Sequence, residues 1–117
     1  MVHREKTMGW LTKGFNPTYH EEAPAPEEVE ALAGLAVLEF GATWCGHCQG
    51  AEPLVEKTLR ANPLPHAKIF DGKGKRLGRV YKVKLWPTLI LLRDGIEVAR
   101  VVRPTSAADV EKLLEKG

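Results

Sequence analysis

Between residues 35 and 60 the hydrophobic pattern changes period, and the change falls on the stretch Trp44-Cys45-Gly46-His47-Cys48. Upstream, Leu35-Ala36-Val37-Leu38-Glu39-Phe40 is an apolar run broken only by Glu39, as expected of a strand covered on both faces. Downstream, Ala51, Leu54, Val55, Thr58 and Leu59 recur at helical spacing, with Gln49, Glu52, Glu56, Lys57 and Arg60 on the other side. A strand over 35–42 therefore feeds a turn, and the turn opens a helix that Asn62-Pro63 ends. A doubly covered strand running straight into a helix needs a layered α/β domain around it.

The remaining punctuation supports this. Residues 1–25 show no clear period, and are expected to form an irregular arm with a short strand around 7–12. Pro26 suits the first turn of a helix running through Glu27-Glu28-Val29-Glu30, with Gly34 as its stop. A short strand is expected over 67–71, and a weak helix with Leu77, Val80 and Tyr81 on one face. Thr88 to Leu92 is a second buried strand, Asp94-Gly95 a hairpin signal, and Ile96 to Val102 the returning strand. Ser106 and Asp109 form a helix-start box ahead of Ala107, Val110, Leu113 and Leu114. The expected domain is α/β and spans 26–117: a central mixed sheet of four to five strands, helices on both faces, the first two core strands parallel and the last two an antiparallel hairpin.

At 117 residues one domain can bury a core without disulfide staples. A net charge of +2 is too small to argue for nucleic acid or an acidic membrane surface, and the basic cluster from Lys73 to Arg79 reads as a solvated loop and helix face. No apolar run is long enough to span a bilayer, and no signal-like segment follows Met1. A cytoplasmic monomer is the expectation, a periplasmic mature form the alternative.

Two cysteines are too few for a disulfide framework. Three positions apart at a helix start, they can approach closely enough to bond. The helix N-terminus offers unpaired N–H groups and a positive dipole end, which favour thiolate, the form that attacks disulfides. His47 sets an ionisable ring between them. Two other readings stand beside this one: cysteines adjacent by chance, and a metal knuckle using Cys45, Cys48 and a histidine. The second lacks another Cys-x-x-Cys or a spaced His pair to complete four ligands, so no metal and no cofactor beyond a redox-active Cys45–Cys48 disulfide is expected.

The stretch from Val37 to Cys48 resembles the active-site strand and turn of the thioredoxin superfamily. Pro53, Trp86-Pro87-Thr88 and Asp94-Gly95 follow in that family's order, and the resemblance covers roughly 27–117. The Gly-His dipeptide resembles protein disulfide isomerase domains. The resemblance implies a thioredoxin fold and a thiol–disulfide oxidoreductase acting on disulfide-containing proteins, recharged by a reductase or thiol donor. It implies that Cys45 attacks and Cys48 resolves. Glu39 becomes the buried acid that takes the proton from Cys48, and Lys68 its partner. Pro87 becomes a cis-proline; Trp44, Gly46, Trp86, Thr88 and Gly95 join it in a substrate groove, with the Trp86 N–H and C=O pairing to an extended substrate. The alternative for Glu39 and Lys68 is a solvent-facing edge. Gly41 stands where the family often has an aromatic residue, which implies a looser floor, and Trp86 implies a narrower groove.

A second class of function is a thioredoxin-like redox-sensing or peptide-binding module with little turnover. Both cysteines, Glu39 and Lys68 argue for the enzyme. Direction stays open: a cytoplasmic address implies reduction, whereas His47 favours a more oxidising pair. The span from about −270 mV for thioredoxin to about −180 mV for the isomerase is worth roughly 4 kcal/mol, enough to reverse direction in a given compartment.

Overall fold

A computed structural model describes residues 10–72 and 75–117. Nine elements follow in order: β1 (Leu11–Lys13), α1 (Pro26–Glu30), β2 (Leu35–Gly41), α2 (Gly46–Ala61), β3 (Pro65–Phe70), α3 (Leu77–Val80), β4 (Thr88–Arg93), β5 (Ile96–Val102) and α4 (Ala107–Glu115). They form one five-stranded sheet in the order β1-β3-β2-β4-β5. β2 and β3 are parallel, joined through α2, while β4 is antiparallel to both β2 and β5.

The period-two alternation of β2 sorts the sheet into two faces. Ala36, Leu38 and Phe40 join Val29 of α1 and Leu77 of α3, with Ala67, Ile69, Ile90 and Leu92 from the flanking strands. Val37 joins Val55 and Leu59 of α2 and Val110 and Leu113 of α4, with Leu89 and Leu91. By the same alternation Glu39 and Gly41 stand on the α2 side, as do His66 and Lys68 of β3.

The expected strand over 7–12 is observed at Leu11–Lys13, and positions 7–9 lie outside the described residues. The stretch expected as an irregular arm contributes this edge strand, a buried Trp10 and a buried Asn16, and His20 adds a parallel bridge to Ile69. β3 begins two residues earlier than expected, because Pro65 and His66 pair with Lys13 and Thr12 of β1. The weak helix expected with Leu77, Val80 and Tyr81 on one face is the single turn α3, in which Leu77 is buried and Val80 half exposed, and Lys82 follows at φ 58°. From the basic cluster, Lys73 and Gly74 lie outside the described residues, and Lys75 Nζ donates to the Glu21 carbonyl at 2.8 Å.

The β4–β5 hairpin turns through Asp94 (φ 53°) and Gly95 (φ 79°), two successive left-handed residues as a tight primed turn requires. Asp94 Oδ1 accepts from Gly34 N–H at 2.7 Å, and Asp94 N–H donates to the Gly34 carbonyl at 2.9 Å. At the other end, Ser106 Oγ caps α4 by accepting from Asp109 N–H at 3.3 Å, while Asp109 accepts from the Ser106 and Thr105 N–H groups. Those backbone donors hold the exposed Asp109 carboxyl below its usual range.

Gly34 and Gly95 both have positive φ but differ in their surroundings. A Cβ on Gly34 meets open space, whereas one on Gly95 would collide with the backbone of Glu30. Gly34→Ala is expected to cost about 1 kcal/mol, the left-handed strain alone. Gly95→Ala is expected to cost about 3 kcal/mol, because the overlapping group is backbone that cannot rotate away. Urea unfolding of the two variants checks this; equal losses would contradict it.

Candidate active site

β2 ends at Gly41, and the chain turns through Ala42, Thr43 and Trp44 onto the N-terminus of α2. Cys45 is the N-cap of that helix, with extended backbone (φ −86°, ψ 119°), and its Sγ accepts from Cys48 N–H at 3.2 Å. A sulfur there sits at the positive end of a sixteen-residue helix beside an otherwise unpaired donor. Both cysteines are free thiols. Cys45 is 9% exposed and Cys48, inside the first turn, 3%. Burial and the neighbouring Cys45 sulfur push the Cys48 thiol up to about 11, against the lowering effects of the Ala42 backbone and the Tyr19 hydroxyl.

The Trp86–Pro87 peptide is cis, and Trp86 packs with Phe70 against Ala42, Cys45 and Cys48. Trp44, 67% exposed, meets Trp86 edge-on with ring centroids 5.3 Å apart. Trp86 Nε1 donates to Asp71 Oδ2 at 2.9 Å, and burial holds that carboxyl above its usual range. Gly46 and exposed His47 line a groove with Gly50, Arg103, Pro104 and Thr105.

Three expectations for the groove change. The Trp86 carbonyl already accepts from Arg103 Nε at 2.8 Å, so only its second lone pair is open to a substrate donor. Thr88 is buried and its hydroxyl donates to the Leu85 carbonyl at 2.7 Å, which leaves no side chain to offer. Gly95 lies at the wrong end of the sheet. Thr88 pairs with Phe40 next to the active-site turn, whereas Arg93, which leads into the Asp94-Gly95 turn, pairs with Leu35 at the start of β2. Six strand residues separate the two ends, roughly 20 Å. The β5–α4 connection at Arg103 to Thr105 takes the place beside the motif that Gly95 was expected to occupy.

Beneath the cysteines, the α2 side of the sheet carries a buried polar cluster. Glu39 is 1% exposed, which excludes the solvent-facing alternative. Its Oε1 lies 2.8 Å from His66 Nε2. His66 Nδ1 accepts from Asn16 N–H at 2.9 Å, so the ring proton sits on Nε2 and is donated to Glu39. Lys68 is Glu39's neighbour in the β2–β3 register but not its ion-pair partner. Its Nζ reaches Glu52 on α2 at 3.3 Å and lies 4.6 Å over the Tyr19 ring and 5.5 Å over Phe15. His66 takes the carboxylate, and the longer lysine extends past it to the helix.

The looser floor implied by Gly41 is corrected too. A Cβ on Gly41 would stand 2.6 Å from both Cys48 Sγ and Tyr19 Oη, so tyrosine from the N-terminal segment fills that space. Tyr19, His66, Asn16 and Glu52 were not anticipated from sequence. Gly41 signalled the first of them alone, since a side chain missing from a buried strand must be replaced from elsewhere. Among the described residues no group of three or more His, Cys, Asp or Glu side chains is placed to hold a metal, and no helix is long and apolar enough to cross a membrane.

Comparisons with known proteins agree with this geometry. The thioredoxin family model matches residues 17–116. A thioredoxin of Chlamydia trachomatis is 37% identical over 87 residues, covering 72% of this chain and 83% of the relative. Thioredoxin-1 of Saccharomyces cerevisiae is 39% identical over 77 residues, covering 63% and 73%. The solved structure of reduced thioredoxin 2 from Pseudomonas aeruginosa PAO1 superposes with a TM-score of 0.78 at 52% identity, covering 86% of this chain and 94% of that one. With its cysteine pair at the head of α2, its cis-proline alongside and its mixed sheet beneath, the chain belongs to the thioredoxin family and is a thiol–disulfide oxidoreductase.

Proposed function

We propose that the chain acts on disulfides of proteins, with Cys45 as the attacking sulfur and Cys48 as the resolving one. The observation that carries this is the N-cap position of Cys45, where Sγ accepts from Cys48 N–H at the positive end of α2. A thiolate formed there keeps that donor. Cys45 Sγ attacks a substrate disulfide, breaking its S–S bond, forming a mixed disulfide and releasing one substrate thiolate, which takes up a proton. Cys48 then loses its proton to Glu39 and attacks Cys45 Sγ. The Cys45–Cys48 disulfide forms, the second substrate thiolate leaves, and the substrate is reduced by two electrons. A reductase or small thiol returns those electrons to the pair.

The substrate lies along Trp44, Gly46 and the cis Trp86–Pro87 segment, where the Trp86 N–H and the second lone pair of its carbonyl are the backbone groups to meet it. The redox-active disulfide is the only prosthetic device in this reading, and the protein works as a cytoplasmic monomer. Exposed aromatic surface beside the sulfurs supports an extended peptide over a small thiol as substrate.

Three measurements test this. The wild-type protein is expected to reduce insulin disulfides with a thiol donor, and Cys45→Ser to abolish turnover while leaving the fold intact; persistent turnover in the variant would overturn the assignment. Alkylation of the reduced protein at neutral pH is expected to label Cys45 before Cys48, since Cys45 is the more exposed of the two and caps the helix; equal or reversed labelling would refute it. Glu39→Gln keeps shape and a hydrogen-bond acceptor for His66 but removes the proton acceptor. Stopped-flow kinetics are expected to show normal mixed-disulfide formation and resolution slowed by about 10²-fold, within the usual range for a lost general base. Unchanged resolution would make Glu39 purely structural.

A further inference from the structure

One buried polar group beside the sulfurs has no role in the chemistry above. With both cysteines as thiols, the Tyr19 hydroxyl is closed off from solvent and has no hydrogen-bond partner among the described residues. It shares with Cys48 Sγ the volume that a side chain at position 41 would fill, each atom 2.6 Å from the missing Cβ. The two atoms are therefore no further apart than twice that distance. The tyrosine is held in place on both sides. His20 N–H donates to the Lys68 carbonyl at 2.7 Å, Phe70 N–H donates to the His20 carbonyl at 2.9 Å, and the Lys68 ammonium lies over the Tyr19 ring.

We propose that the Tyr19 hydroxyl is the hydrogen-bond donor that stabilises the Cys48 thiolate during the resolving step. This rests on the assignment of Cys48 as the resolving sulfur. The Cys48 proton passes to the Glu39 carboxylate on the same sheet face. The freed electron pair forms the Cys45–Cys48 bond as the Cys45–substrate bond breaks, and the departing thiolate takes a proton from water. Tyr19 keeps its own proton throughout, turning the O–H toward sulfur as charge develops.

The surroundings favour donation over proton transfer by the phenol itself. Burial, with Glu39 and both cysteines nearby, pushes the Tyr19 phenol far above its ordinary range, so it cannot act as a base near neutrality. The charged and titratable groups facing the pair are Glu39 from β2, His66 and Lys68 from β3, Glu52 from α2, and Cys45. His66 is committed to Glu39 and the Lys68 ammonium to Glu52. Against burial and the Cys45 sulfur, which push the Cys48 thiol up, the Ala42 backbone and the Tyr19 hydroxyl pull it down. A buried hydroxyl left without a partner costs stability unless it acquires one, and thiolate formation supplies it.

The test uses an aromatic disulfide whose released thiolate absorbs visible light, so that the first release reports attack by Cys45 and the second reports resolution by Cys48. Tyr19→Phe is expected to leave the first release unchanged. It is expected to slow the second about tenfold at neutral pH and to move its rising pH limb about one unit to the alkaline side, because Cys48 loses a charge-assisted donor. An unshifted second phase, or equal slowing of both, would overturn the proposal. A second measurement does not depend on Tyr19→Phe folding: ring-fluorinated tyrosine, a stronger donor of nearly the same shape, is incorporated in place of tyrosine. The second phase is then expected to move to lower pH, and no movement would overturn the proposal. Wild-type protein that releases one thiolate and never the second would refute the resolving assignment itself, a result distinct from either variant's.

Discussion

The 2.8 Å hydrogen bond from His66 Nε2–H to Glu39 Oε1 governs how the active end of this domain is built. A carboxyl inside an apolar sheet is tolerated only with a partner. The partner here is itself buried and is held through its other ring nitrogen by the Asn16 amide. One carboxyl group thus ties β2 to β3, and β3 to the segment that follows β1. The tie sits on the side of the sheet that faces α2, so a buried carboxyl is held on the same face as the helix that carries the sulfurs.

Once that segment is tied down, its next residues complete the site. Tyr19 enters the space left open by Gly41, and Lys68 spans two aromatic rings to reach Glu52 on α2. The floor of the site is therefore assembled from β2, β3, α2 and a stretch without regular secondary structure. The absence of a Cβ at Gly41 is the space that makes this possible.

The elements legible in the sequence were those whose pattern is local. The apolar run of β2, the helical spacing of α2, the Asp94-Gly95 turn and the Ser106 box each declare themselves within a few residues, and the structure holds them within one residue of their expected bounds. The cysteine pair was legible for the same reason, and the cis-proline through the family resemblance of Trp86-Pro87-Thr88. What escaped depends on long-range register. His66 lies just ahead of the strand expected over 67–71, and only pairing with both β1 and β2 buries it. The family resemblance implied that Lys68 partners Glu39, but side-chain length sends the ammonium to Glu52. Gly95 was placed by motif order, and strand direction carries it to the far end of the sheet. Residues 10–25 showed no period because only three of them, Leu11 to Lys13, form a strand, and the rest reach β3 through single side-chain or backbone contacts at irregular spacing, as Asn16 does to His66 and His20 to Lys68 and Ile69.

Trp86 is gripped from three directions: its indole N–H by Asp71, its carbonyl by Arg103, and its ring by Trp44. Arg103 reaches it from a residue at φ 52°, and its own N–H is bonded to the Pro87 carbonyl at 2.9 Å. The rim beside the sulfurs is thus a finished mould before any partner arrives, and little of its motion remains to be frozen on contact. The entropic burden of docking falls on the incoming chain. Under the proposed function, selection among disulfides is exercised through the stiffness of the segment that bears them: loose, extended segments conform to the mould, and disulfides locked inside rigid folds do not.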